Sequence, residues 1–150
     1  EQNITIEWGK TLNLTIENEK MKGKVKITKI SEDDNLITGE VAGTPIANVK
    51  FEIYDDSGKL VDTLITKTDG IAISKDLVVG KYIVKEKETG EYYEINENDF
   101  EVEITKNGEV VGLTISNKSK TPPPEKPKEE TPKIEVPPIE PIKKLPVTGY

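Results

Sequence analysis

The chain has 150 residues, of which 33% are hydrophobic and 33% charged, and its net charge is −7. That composition supplies one modest core, and an acidic body argues against a nucleic-acid backbone as partner. Cysteine and histidine are absent, which excludes disulfides, zinc–thiolate centres and Ser-His-Asp or Cys-His nucleophiles.

Residues 1–21 carry no signal-peptide pattern, and the sequence reads as a piece of a longer protein. Two short strand patterns flank Trp8-Gly9-Lys10. Leu14-Thr15-Ile16-Glu17-Asn18 also repeats Leu113-Thr114-Ile115-Ser116-Asn117, with Gly9 and Gly108 at the same offset. Residues 1–21 are therefore predicted to be the C-terminal hairpin of a preceding copy of the domain over residues 22–118.

Residues 22–118 alternate Val, Ile, Leu, Tyr and Thr with polar residues and show no helical period. Seven strands are predicted, over 24–30, 49–54, 60–65, 71–74, 81–88, 100–105 and 110–116. Turn residues separate them at Asp55-Asp56-Ser57-Gly58, Thr68-Asp69-Gly70 and Lys106-Asn107-Gly108. The expected fold is all-β, an Ig-like seven-stranded β-sandwich. Glu32-Asp33-Asp34-Asn35 and Asp55-Asp56 read as solvated turns, not calcium loops. No metal or cofactor is expected.

Side chains of a strand alternate between faces, and three apolar rows end in a polar residue. Val25 and Ile27 are followed by Lys29, Tyr82 and Val84 by Glu86, and Val111, Leu113 and Ile115 by Asn117. Any one of these fits a strand leaving the core. Together they carry the groups needed to form an amide. A lysine amine can attack the Asn side-chain carbonyl and expel ammonia once burial has favoured its neutral form. A buried carboxyl can shuttle the protons, and the fold holds the partners in contact. Lys26 is a competing lysine, but the pleat points it outward.

Nine of the ten prolines lie between Pro122 and Pro146. Residues 119–144 are rich in Pro, Lys and Glu and are predicted to stay disordered. As a polyproline-like spacer this stretch reaches on the order of 80 Å. No run of about 18 apolar residues occurs anywhere.

Val25-Lys26-Ile27-Thr28-Lys29, Val49-Lys50-Phe51-Glu52-Ile53-Tyr54-Asp55, Gly80-Lys81-Tyr82-Ile83-Val84-Lys85-Glu86 and Leu113-Thr114-Ile115-Ser116-Asn117 resemble the Cna B-type, SpaA-like (prealbumin-like) repeat of Gram-positive surface proteins. The resemblance implies an intramolecular isopeptide bond between Lys29 and Asn117, promoted by Glu86. It also implies that Asn18 is the acceptor of the preceding domain. The sequence departs from the family at Thr89-Gly90, where Ala-Pro is usual, and keeps an aromatic at Tyr93.

Residues 145–150 hold a second motif. Leu145-Pro146-Val147-Thr148-Gly149 resembles the Leu-Pro-x-Thr-Gly sorting signal. That implies cleavage by sortase between Thr148 and Gly149 and covalent attachment of Thr148 to peptidoglycan. The apolar span and basic tail of such signals are expected beyond Tyr150. The chain is thus expected to be a stalk and anchor module, extracellular and fixed to a Gram-positive cell wall, and not an enzyme. The alternative is an adhesin or minor pilin subunit whose sandwich binds host extracellular matrix or another pilin subunit. Trp8, Tyr54, Tyr92 and Tyr93 are the aromatic candidates for such a surface. The Tyr-Pro-Lys type motif of shaft pilins is absent from the sequence.

Overall fold

A computed structural model of the chain describes residues 3, 5, 7–13, 15, 18–127 and 135–141. Among the described residues eight strands form: β1 (Lys22–Ser31), β2 (Lys50–Asp55), β3 (Leu60–Ile65), β4 (Ile71–Ile73), β5 (Leu77–Val78), β6 (Gly80–Glu88), β7 (Asp99–Ile104) and β8 (Val110–Asn117). Seven correspond to the predicted strands. The eighth, β5, is only two residues long, too short for a period-2 signal to register.

Two four-stranded sheets face each other. One has the order β3-β2-β6-β7, antiparallel throughout. The other is built on β1. There β8 runs parallel along one edge, and β4 and β5 pair antiparallel with successive parts of the other. The Lys106-Asn107-Gly108 turn has hairpin chemistry, yet β7 and β8 belong to different sheets, so this turn carries the chain from one layer to the other. It is pinned to the start of β1, with Gly108 N donating to Lys22 O (2.7 Å) and Lys22 N to Asn107 Oδ1 (3.1 Å).

The core lies between the layers. Val25, Ile27, Ala72, Leu77 and Ile115 face Phe51, Ile53, Leu64, Tyr82, Val84, Val102 and Ile104, and all are buried. Each large aliphatic or aromatic side chain so buried contributes about 1.5–3 kcal/mol. In β1 the alternation is complete from Gly23 to Ser31, every second residue being buried.

Two register slips interrupt the antiparallel sheet. One lies between Ile53 and Tyr54. At the other, Phe51 pairs with Glu86 but Lys50 pairs with Glu88, leaving Lys87 as an extra residue in β6. Past β8 the chain stays strapped to the domain. Glu94 N donates to Lys118 O (2.8 Å), Lys120 N to Tyr92 O (2.9 Å) and Ser119 N to Asp33 Oδ1 (2.9 Å). Residues 121–127 and 135–141 carry no regular secondary structure. Residues 7–13 contain a turn at Trp8-Gly9, closed by Lys10 N donating to Glu7 O (3.3 Å).

Candidate functional site

The parallel pairing of β1 with β8 sets Lys29 opposite Ile115 and Ser31 opposite Asn117. Asn117 is therefore the diagonal neighbour of Lys29 on the same inward face, within reach of a long side chain. Glu86 arrives from the other layer, on the row of Tyr82 and Val84 in β6. The three polar residues that end apolar rows thus converge. Lys29 is 0% exposed, Asn117 1% and Glu86 5%.

Lys29 Nζ donates to Asn117 Oδ1. Asn117 Nδ2 donates to Glu86 Oε1 (2.5 Å) and to Thr89 Oγ1 (2.9 Å). Glu86 Oε2 lies 3.1 Å from Lys29 Nζ, yet it makes no hydrogen bond: the pair is close but poorly aligned. One carboxyl group therefore faces both nitrogens, the amine that would attack with Oε2 and the amide nitrogen that would leave with Oε1. Burial holds the Lys29 amine below its ordinary value of 10.5; the nearby Glu86 carboxylate and, more weakly, Glu32 oppose that shift. The neutral amine is the form with a free lone pair, so burial acts in the direction that nucleophilic attack requires.

Lys26 stands on the alternate, outward row of β1. Asn18 is exposed. Residues 145–149 lie outside the described residues. Of the aromatic candidates, Trp8 and Tyr92 are exposed and Tyr54 is half-buried beneath Lys85 and Lys87. Tyr93 departs from expectation. It is buried, because Gly90 turns the 90–93 loop back onto the core and the phenol donates to Glu40 Oε2 (2.8 Å). Asp55 is a turn residue, its Oδ1 accepting from Ser57 N (3.0 Å) and Lys59 N (2.9 Å). Asn35 departs from the expected solvated turn: it is buried, its Oδ1 accepting from Ile37 N and Thr38 N and its Nδ2 donating to Tyr92 O (3.3 Å), because the 90–93 loop covers it. Among the described residues no cluster of three or more Asp or Glu side chains is placed to hold a metal ion.

The contact with Thr89 was not visible in the alternation. Counting by twos from Glu86 puts Glu88 inward and Thr89 outward. The signal in the sequence was only the departure from the family pattern at Thr89-Gly90.

Residues 23–119 match the family described as "SpaA: Prealbumin-like fold domain". Over 81 residues the chain is 33% identical to the trypsin-resistant surface T6 protein of Streptococcus pyogenes serotype M6, a match covering 54% of this chain and 15% of that protein. Among solved structures it is similar to the Bacillus anthracis TIE protein (34% identity, TM-score 0.61, covering 74% of this chain and 20% of that one). It is also similar to GBS52, the minor pilin of Streptococcus agalactiae (27% identity, TM-score 0.57, covering 69% and 47%). The chain thus spans well under two thirds of the length of each of these relatives.

Proposed function

The chain belongs to the SpaA family of prealbumin-like fold domains, and we propose that it is a structural stalk and anchor module of a Gram-positive surface protein, locked by a self-made amide between Lys29 and Asn117. The observation that carries this reading is the buried contact of an amine, an amide and a carboxyl group drawn from both layers of the sandwich.

The reaction balances within the chain. The Lys29 Nζ lone pair attacks Asn117 Cγ. Nζ then gives up a proton to the Glu86 carboxylate at Oε2, and the carboxyl, turning about its Cγ–Cδ bond, hands that same proton to Asn117 Nδ2. The Cγ–Nδ2 bond breaks and ammonia leaves. No external reactant is consumed. Attack is aided by holding the groups in contact, which removes the entropy of bringing them together. A surface groove of about 310 Å³, lined by Glu32, Glu94, Asn96 and Lys118 among others, borders Asn117 and offers the ammonia a way out. Glu86 acts once, on its own chain, so no turnover on an external substrate is proposed. The bond stands in for the disulfides that a chain without cysteine cannot make, and it resists reduction.

Residues 119–144 serve in this reading as the wall-spanning spacer and Leu145-Pro146-Val147-Thr148-Gly149 as the sortase substrate, with Thr148 joined to peptidoglycan. Residues 1–21 are the end of a preceding similar unit. A second reading, a minor pilin subunit binding another pilin or a host ligand, is supported by the likeness to GBS52 and by the exposed Tyr92.

Intact mass spectrometry of the folded chain tests the central claim. The expected wild-type mass is the sequence mass less one ammonia, and Lys29→Ala and Asn117→Ala should each restore the full mass. A wild-type chain at full mass overturns the cross-link and leaves the fold standing.

A further inference from the structure

The slip in register at Lys87 changes which way the later residues of β6 face. Phe51 pairs with Glu86 and Lys50 with Glu88, so Lys87 is an inserted residue. A bulge of this kind bends the strand and re-aims the side chains after it. Glu88, which strict alternation would send inward, instead stays outside with Lys87 and forms an ion pair with Lys50 (3.2 Å). Thr89 takes the inward place and points its hydroxyl at Asn117, with Oγ1 2.9 Å from Nδ2.

The bulge therefore does two things at one site. It removes a second carboxylate from the neighbourhood of Glu86, and it replaces that carboxylate with a neutral hydroxyl. A primary amide presents nitrogen and oxygen on nearly identical shapes, so something must decide which end faces the lysine. Here the two N–H groups of Asn117 are both taken, one by Glu86 Oε1 and one by Thr89 Oγ1, and Oδ1 is left to face Lys29 Nζ.

We infer that Thr89 is a further member of the bond-forming cluster, orienting the Asn117 amide so that its nitrogen leaves on the Glu86 side. This rests on the reading of the site as self-cross-linking. In the planar amide Thr89 accepts one N–H. As Lys29 adds to Cγ, Nδ2 becomes pyramidal and gains a lone pair. With one N–H anchored on Thr89, only the second hydrogen and the lone pair can exchange places in front of Glu86, and the lone pair so presented takes from that carboxyl the proton needed for departure. Thr89 itself neither gains nor loses a proton overall.

The test is a time course. The full chain is made by cell-free synthesis, quenched at intervals and weighed intact, so that the fraction that has lost ammonia is read directly. Thr89→Val keeps the shape without the hydroxyl and is expected to slow bond formation about 100-fold, the scale of removing one hydrogen-bonding group at a reacting centre. Thr89→Ser is expected to restore the wild-type rate. In the Asn117→Ala background, where there is no amide to orient, Thr89→Val is expected to leave Tm unchanged. A Thr89→Val chain that links as fast as wild type, a serine that fails to rescue, or a Tm loss in that background overturns the role of Thr89 alone. A wild-type chain that never loses ammonia removes the reading of the whole site with it.

Discussion

Lys29 Nζ and Glu86 Oε2 stand 3.1 Å apart with both side chains wholly buried, although one residue belongs to the sheet built on β1 and the other to the facing sheet. A lysine and a glutamate removed from water are costly unless each meets the other's chemistry. Here they meet across the sandwich, with the Asn117 amide as the third party.

Glu86→Gln preserves the shape of this contact but cannot carry a proton between the two nitrogens. The variant is expected to fold, to retain its full sequence mass and to melt below the wild type. Lys29 and Asn117 are 88 positions apart in the chain, and closing a loop of that length is worth about 4–5 kcal/mol on the chain-entropy view. Intact mass and thermal melting check both parts. A variant that loses ammonia as fully as the wild type would take Glu86 out of the reaction.

The rate of bond formation should rise with pH and level off above the lowered value of Lys29, since only the neutral amine attacks. Stability should follow the same group when the bond cannot form, as in Asn117→Ala. The folded amine is held below 10.5, so between its folded and unfolded values the unfolded chain binds a proton that the folded chain does not. Stability therefore rises with pH across that interval, by up to about 1.4 kcal/mol per unit. The rise is read as the difference between Asn117→Ala and the same chain carrying Lys29→Met, up to pH 10.5, so that the tyrosines, common to both, cancel. Urea titrations at a series of pH values measure it, and a flat profile would mean that Lys29 keeps an ordinary affinity for its proton.

Gly70 has φ +73 and sits against β1 beside Lys29. Lys29 N donates to Gly70 O (2.8 Å), and a Cβ at Gly70 would collide with the Lys29 carbonyl oxygen and press Pro45 Cβ at 3.0 Å. Gly70→Ala is expected to cost about 2–3 kcal/mol and to slow bond formation by displacing Lys29. Gly58 has φ +83 with open space where a Cβ would go, so Gly58→Ala should cost only the backbone term of about 1–2 kcal/mol and leave the bond unaffected. Equal behaviour of the two variants in melting and in mass would refute the steric argument.

The strap over residues 118–120 depends on Asp33. The Ser119 hydroxyl beside it and the hydrogen bond it accepts from Ser119 N hold its carboxyl below the ordinary 3.8. This contribution is fully present above the unfolded value and is lost as pH falls through the lower folded one. Asp33→Ala should speed hydrogen exchange at Ser119 and Lys120 while leaving the β1–β8 ladder protected. Unchanged exchange at those two amides would show that the 92–94 pairing alone holds the strap.

Incubation with a sortase and an oligoglycine acceptor should cut the chain between Thr148 and Gly149 and join Thr148 to the acceptor, as read by mass. Leu145→Ala or Pro146→Ala should block the exchange, because the proline fixes the extended form that enters the cleft. Exchange that survives both substitutions would dismiss the sorting signal.

Alternation along β1, β6 and β8 was enough to single out Lys29, Glu86 and Asn117, because a period of two is a local property of a pleated strand and every residue on an inward row must answer to the core. The turns were legible for the same local reason. Pairing partners were not, since they depend on contacts between distant residues. That β8 runs parallel to β1, that the Lys106-Asn107-Gly108 turn crosses between layers, and that Tyr93 folds inward were all decided by tertiary packing. So was the slip at Lys87: it arises from how β6 fits against β2, it reverses the alternation after Glu86, and only it brings Thr89 to the amide of Asn117.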